Sequence, residues 1–260
     1  MKIFFRILIK LLRKQDGVCK RLAAHGMVWR GWARKPLHPK HLFDDDRNTL
    51  LHEQFRPGIV FLDIGSANGT DCLNALRAGA ARAEGVEIDA RSLELAAMRA
   101  NDANLPANFQ HADLESGTLP FADSTFDVIN FTNVLEHLVN RIQILKEMRR
   151  VLKPDGVAVI SAPNCETPWK KFQRRYGMDS RDDEDHKIEY TPACLSQELE
   201  AAGLTLASPL YPIIPSWPWN GILATAAILS PAMYRWTQRM KYQRARRDPK
   251  CSIGWILLVR

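Results

Sequence analysis

The chain has 260 residues, 46% hydrophobic and 25% charged. These are ordinary values for a globular protein, and the length allows one full core with an appendage. Its five cysteines (Cys19, Cys72, Cys165, Cys194, Cys251) are scattered without a C-x-x-C pair, which excludes a disulfide or zinc framework and points to a reducing cytosol. No stretch reaches the roughly 18 uninterrupted apolar residues of a membrane-spanning helix. The net charge of +7 divides into +8 over residues 1–56, −5 over 57–161 and +4 over 162–260. The basic excess at the two ends calls for an anionic partner: nucleic acid, acidic lipid or a phosphorylated substrate.

Residues 1–14 place Lys2, Arg6, Lys10 and Arg13 at helical spacing on an otherwise apolar segment. That is the pattern of a helix lying in a membrane interface; a helix packed on the protein's own core with its cations in water reads equally well. The charges cut the apolar run too often for a secretory signal. Residues 15–56 read as a basic, partly helical lead-in with Trp29, Trp32 and the run Pro36–His41. Together, residues 1–56 read as a basic amphipathic arm ahead of a single domain over 57–260.

From residue 59 the pattern changes. Ile59–Ile64 is an apolar strand carrying Asp63, followed by the turn Gly65-Ser66-Ala67-Asn68-Gly69 and a helix from Asp71 to Leu76. Strand, tight glycine turn and helix N-terminus build a nucleotide-class pocket at the carboxyl edge of a parallel sheet. A second strand ends at Glu87, some twenty residues on, a distance suited to a carboxylate gripping two ribose hydroxyls. A third ends at Asp113 and a fourth after Phe126–Ile129, with Asn133–Leu138 following. Val139–Leu152 is an amphipathic helix, Lys153–Gly156 its stop and turn, and Val157–Asn164 the fifth strand. Alternating strands and helices predict an α/β, Rossmann-like, doubly wound parallel sheet.

Residues 165–190, with Trp169, an acidic run at 181–185 and His186, interrupt the pattern at the ligand-binding edge and read as an acceptor lid. Pro192–Ala202 is a helix, Leu204–Leu210 a sixth strand and Ser252–Val259 a seventh. The 211–251 insertion between them is free of charged residues as far as Tyr234 and is followed at once by Arg235, Arg239, Lys241 and Arg244. An apolar wedge with Trp217 and Trp219 beside a basic cluster suits a monotopic contact with an anionic membrane surface; a buried hairpin or a dimer surface is the alternative.

Taken in order, the motifs of residues 57–207 resemble the class I S-adenosylmethionine-dependent methyltransferases, of the type 11 kind that includes the ubiquinone-pathway O-methyltransferases. The resemblance implies a seven-stranded sheet whose last strand is antiparallel and lies between the fifth and sixth. It implies S-adenosyl-L-methionine as cofactor. By resemblance, Asp63 lies near its amino group, and Gly65, Ser66, Ala67 and Gly69 form the turn against its tail. Glu87, with Ile88 beside it, takes the ribose, Asp113 and Leu114 the adenine, and Thr132 the methyl-donor side. A helix N-cap or turn role is the plainer reading for Asp113. Ala67 stands where the family usually has glycine, which strains the turn if that position needs φ > 0.

His137 resembles the histidine of the quinone-pathway E-x-x-E-H pattern, where two acids and the histidine go with a divalent metal. Asn133 replaces the first acid, so no metal site is expected; His137 is a candidate general base, and His186 is its rival. The function implied is O-methylation of a small-molecule, lipid or lipid-linked acceptor, cytoplasmic and peripheral at the inner membrane face. An RNA methyltransferase is the second reading, disfavoured because no RNA module is recognisable, so a nucleic-acid partner is not expected. A membrane-associated scaffold whose methyltransferase fold has lost its reaction is the third.

Overall fold

The computed structural model describes residues 2–39, 49–213 and 220–260. Lys40 and His41, and the insertion's Pro215, Trp217, Pro218 and Trp219, lie outside the described residues. The chain divides into two compact units. One holds residues 49–163, 183–211 and 255–260, the other residues 1–48, 164–182 and 212–254.

The first unit carries most of a seven-stranded sheet of order β3-β2-β1-β4-β5-β7-β6. Its strands are β1 (Val60–Ile64), β2 (Arg82–Glu87), β3 (Ala107–His111), β4 (Phe126–Phe131), β5 (Leu152–Pro163), β6 (Tyr211–Pro212) and β7 (Gly254–Val259). β1 pairs in parallel with both β2 and β4, and β2–β3 and β4–β5 are also parallel. Strand order therefore reverses direction between β1 and β4, which opens a crevice outside their carboxyl ends. The last strands are antiparallel, as the resemblance implied: Leu206 bridges Val259, and Thr205 and Arg260 exchange backbone hydrogen bonds.

Side-chain alternation along each strand builds a core on both faces. Phe61, Val128 and Val159 meet Cys72 and Ala75 on one face. Their neighbours Leu62, Ile129 and Ile160 join Ile144, Leu145, Met148, Leu195 and Leu199 on the other. The helices that supply these contacts are α3 (Thr70–Arg77), α5 (Arg141–Val151) and α7 (Pro192–Ala201); α2 (Thr49–His52) and α4 (Ala90–Asp102) complete the unit.

Two sequence expectations need correction. Lys153–Gly156 is not a turn ahead of the fifth strand but part of β5. The register with β4 jumps from Phe126↔Leu152 to Val128↔Val157, so these residues bulge outward with Pro154 and Asp155 exposed. The sixth strand is not a continuous Leu204–Leu210 segment. It pairs at Leu206, breaks, and resumes only at Tyr211–Pro212, in keeping with Pro209 and Pro212, which cannot donate to a ladder.

The second unit is helical. α1 runs from Lys2 to Trp29, well beyond the basic stripe that announced it, and buries Ile9, Ala23, Gly26 and Met27. It packs on α8 (Asn220–Leu229). The approach is close enough that a Cβ on Gly26 would fall 2.4 Å from Ile228 Cγ1, and one on Gly221 2.4 Å from the Asp16 carbonyl oxygen. The Asp16 carboxylate accepts from the Gly221 N–H at 2.5 Å, satisfying one orphan donor at that helix start. α6 (Pro168–Arg175) places Phe172 edge-on to Phe5 and is followed by Tyr176, which stacks on the Phe5 ring at 4.6 Å. α9 (Pro231–Arg247) contributes Tyr234 to a small core with Met27 and Ala227. The proposed lid is thus split between units: residues 164–182 belong to the helical one, residues 183–190 to the sheet.

The α1–α8 contact leaves no room at Gly221. Gly221→Ala is expected to cost roughly 1–3 kcal/mol by overpacking against backbone, read as a lowered Tm; an unchanged Tm would show that α8 does not seat on α1.

Candidate functional site

β1 ends in the apolar run that buries Asp63, and β4 brings Asn130 opposite it in register. The Asn130 amide donates to Asp63 Oδ1 at 2.8 Å. No cation is paired with Asp63 among the described residues. Burial first, then the Asp71 carboxylate, push the Asp63 carboxyl up to about 8 against the lowering effect of the Asn130 hydrogen bond. A ligand carrying an ammonium or sulfonium charge would favour the ionised form of this carboxyl.

The turn after β1 is shaped by close contacts. Gly65 (φ 76°) and Gly69 (φ 72°) are left-handed. A Cβ on Gly65 would lie 2.4 Å from Val134 Cγ2, and one on Gly69 2.5 Å from the Phe109 ring, so only glycine fits either place. Ala67 also has positive φ, 44°; the strain anticipated from its side chain is present. Arg99 of α4 clamps the turn, donating to the Asn68 carbonyl (2.6 Å) and the Thr70 hydroxyl (2.9 Å).

Glu87, at the end of β2, accepts from three backbone N–H groups: Ala67 (2.9 Å), Ile88 (2.8 Å) and Asp89 (3.0 Å). Its two oxygens have about four acceptor positions, which leaves capacity for a hydroxyl. Ile88 is exposed beside it. Asp113 is exposed and accepts from the Glu115 N–H at 2.9 Å, capping the 3-10 turn Leu114–Ser116, whose Leu114 is buried. The plainer capping reading of Asp113 is therefore realised, while its place after β3 keeps it on the carboxyl edge. Thr132 is half-buried just past β4.

His137 and His186 come together. The 3-10 turn Leu135–His137 follows β4, and the Glu136 carbonyl accepts from the backbone N–H of Lys187 and Ile188. Those bonds bring His186 to a ring-centroid distance of 4.9 Å from His137, with its Nε2 4.0 Å from Glu136 Oε1 and its Nδ1 3.3 Å from Glu189 Oε1. Tyr190, fully buried and hydrogen-bonded to Glu198, anchors the segment. Desolvation raises the Glu136 carboxyl above its ordinary range. Asn133 stays exposed in left-handed backbone.

Buried polar atoms are normally paired. Ser66 Oγ, Asp71 Oδ1, Asn130 Oδ1 and Glu136 Oε2 are buried without a hydrogen-bond partner, and all four belong to segments at the carboxyl edge. These orphans, with the cation-seeking Asp63, fit a polar, cationic ligand bearing hydroxyls. The sequence reading missed Asn130, Arg99 and Glu189. Asn130, a polar residue within an apolar strand, carried a legible signal; the other two carried none.

The sequence model of the family described as a methyltransferase domain matches residues 62–160. The 27-O-demethylrifamycin SV methyltransferase of Amycolatopsis mediterranei is 32% identical over 131 residues, covering 45% of this chain and 47% of that protein. A ubiquinone/menaquinone biosynthesis C-methyltransferase of Idiomarina loihiensis is 33% identical over 118 residues, 44% of this chain and 46% of that protein. This chain thus spans less than half of either relative's length. Among solved structures, an S-adenosylmethionine-dependent methyltransferase from Mesorhizobium loti superposes with a TM-score of 0.56 at 15% identity, over 84% of this chain and 99% of that one; such a likeness speaks to the fold alone.

Two expectations follow. Ala67→Gly relieves the left-handed strain and should raise stability by about 1 kcal/mol, visible as a higher Tm; a lower Tm would mean the alanine methyl packs. Asp63 costs the ligand-free protein stability as pH rises, because the unfolded carboxyl ionises near its ordinary value while the folded one stays protonated up to about 8. The loss grows by up to ~1.4 kcal/mol per pH unit across that window. Asp63→Asn should therefore gain Tm relative to the unsubstituted protein between pH 5 and pH 8; parallel curves would refute it.

Proposed function

We propose, from the premise that residues 62–160 form a class I S-adenosylmethionine-dependent methyltransferase domain, that this chain methylates an oxygen of a lipid or lipid-linked acceptor at a membrane face. S-adenosylmethionine is the cofactor of this domain and supplies an electrophilic methyl on a sulfonium. The observation that carries the reading is the buried, cation-seeking Asp63 between the glycine turn and Asn130, with Glu87 at the end of the adjacent strand. Asp63 would hold the ligand's amino group, Glu87 one ribose hydroxyl through its remaining acceptor position, and the Gly65–Gly69 backbone its tail. Catalysis then rests on positioning the acceptor oxygen in line, with loss of its proton at the Glu136–His137–His186 cluster.

The membrane part is supported by the helical unit itself. While α1 buries Ile9, Ala23 and Met27, it exposes Phe4 (65%), Ile7, Leu11 (58%), Val18, Leu22 and Trp29, a second apolar stripe interleaved with Lys2, Arg6, Lys10 and Lys14. α9 adds exposed Met233, Trp236 and Met240 among Arg235, Arg239 and Arg246. Apolar side chains flanked by cations suit the boundary of an anionic bilayer. No helix among the described residues is long and apolar enough to cross a membrane, so the contact proposed is with one leaflet.

Calorimetric titration with S-adenosylhomocysteine should show micromolar binding that Glu87→Ala weakens at least about tenfold, since charge-assisted hydrogen bonds are lost. No binding by the intact protein would favour the inactive scaffold. The protein should sediment with phosphatidylglycerol vesicles and not with phosphatidylcholine vesicles, and Phe4→Asp with Leu11→Asp should release it. Unchanged sedimentation would sink the membrane part, and a steeply salt-dependent RNA affinity would favour the nucleic-acid reading.

A further inference from the structure

The cluster beyond β4 has a chemistry that proton transfer alone does not require. Glu136, His137 and His186 each offer a donor atom, and these three atoms lie within 4.8 Å of one another. Two of the three residues are buried: Glu136 is 4% exposed and His186 7%. Glu136 Oε2 is shut from solvent with no hydrogen-bond partner, a position a carboxylate oxygen keeps at a substantial cost unless a donor or a cation meets it.

His186 is held in a particular way. Its Nδ1 faces Glu189 Oε1 at 3.3 Å, and its Nε2 faces Glu136 Oε1 at 4.0 Å. A carboxylate on one ring nitrogen that turns the other nitrogen toward a carboxylate-lined space is the outer support of a metal-bound imidazole. The chain makes that support rigid: Lys187 and Ile188 donate to the Glu136 carbonyl, and Tyr190 to the Pro163 carbonyl. Leu135 and Leu138 are buried on either side of Glu136 and His137.

We propose that Glu136, His137 and His186 bind a divalent first-row transition ion, with Glu189 as the residue that orients His186. Two imidazoles and one carboxylate suit zinc, cobalt or ferrous iron; Mg2+ and Ca2+ prefer all-oxygen sites. Three protein donors leave a coordination position open. Asn133, which offers no carboxylate, is exposed and stands outside the cluster. His186 arrives from a different segment and gives the set two nitrogen donors to one oxygen donor, which is what selects the ion class. Donor atoms of a tetrahedral ion stand about 3.3 Å apart, within reach of the present separations by side-chain torsion. Bound there, an ion would supply a Lewis acid that lowers the pKa of the acceptor hydroxyl, whose proton would then pass to water, since the three side chains serve as ligands and not as bases. This deepens the proposed reaction and rests on it for the role, though not for the binding.

The test is direct and needs no substrate. The full chain, stripped with chelator, is titrated with Zn2+, Co2+, Mg2+ and Ca2+ by calorimetry, with the Co2+ visible spectrum recorded in parallel. One equivalent of Zn2+ or Co2+ should bind at micromolar concentration or below with a low-symmetry cobalt band, while Mg2+ and Ca2+ do not bind up to millimolar. Glu189→Gln should weaken Zn2+ roughly 10–100-fold, and Glu136→Gln or His186→Ala by more. S-adenosylhomocysteine binding by the same variants checks that they remain folded. Absence of Zn2+ and Co2+ binding in a protein that still binds S-adenosylhomocysteine overturns the metal site and leaves the methyltransferase reading standing. Zn2+ binding that survives both Glu136→Gln and His186→Ala overturns the donor set, and Mg2+ binding as tight as Zn2+ overturns the ion class.

Discussion

One carboxylate, Glu87, accepts hydrogen bonds from the N–H groups of Ala67, Ile88 and Asp89 and so ties the glycine turn after β1 to the loop after β2. The Gly65 and Ser66 N–H groups add bonds to the Val86 carbonyl at the end of β2, and the rest of the site inherits its shape from this join. The turn fixes where α3 begins and where Val134 touches the Gly65 backbone; through Val134 it also constrains the start of the Leu135–His137 turn. The arrangement is costly in two places, the left-handed Ala67 and the uncompensated Asp63. Backbone strain of this kind gathers at functional edges of a fold.

The two units spend their residues differently. The sheet unit follows the strand-by-strand alternation of apolar side chains, and Asp63, Ser66, Asn130 and Glu136 are buried polar residues at its carboxyl edge. In the helical unit, α1 is apolar on two sides, one seated on α8 and the other exposed among cations. The bland and the functional readings of residues 1–14 are therefore not exclusive: a helix can pack on its own protein through Ile9 and Met27 and still offer Phe4 and Leu11 outward.

Local signals carried much of this. The apolar run of β1, the glycines of the turn, the acids at Asp63 and Glu87 and the amphipathic helix read over Val139–Leu152 were legible because each depends on residues a few positions apart. The errors arose where a neighbour in space decides. Lys153–Gly156 carries turn residues but belongs to a bulged strand because β4 pairs on either side of it. The sixth strand is broken by prolines whose effect depends on which edge of the ladder they meet.

Spacing along the chain and backbone preference determined the doubly wound sheet and the tight glycine turn after β1, while the roles of Asp63 and Glu87 toward a ligand came from the family resemblance. Only the tertiary structure decided that His186 lies beside Glu136 and His137, that Glu189 holds it there, and that Asn130 meets Asp63. These pairings are made across long stretches of chain by packing and hydrogen bonds between segments, and no local periodicity records which side chains the fold will bring within reach of one another.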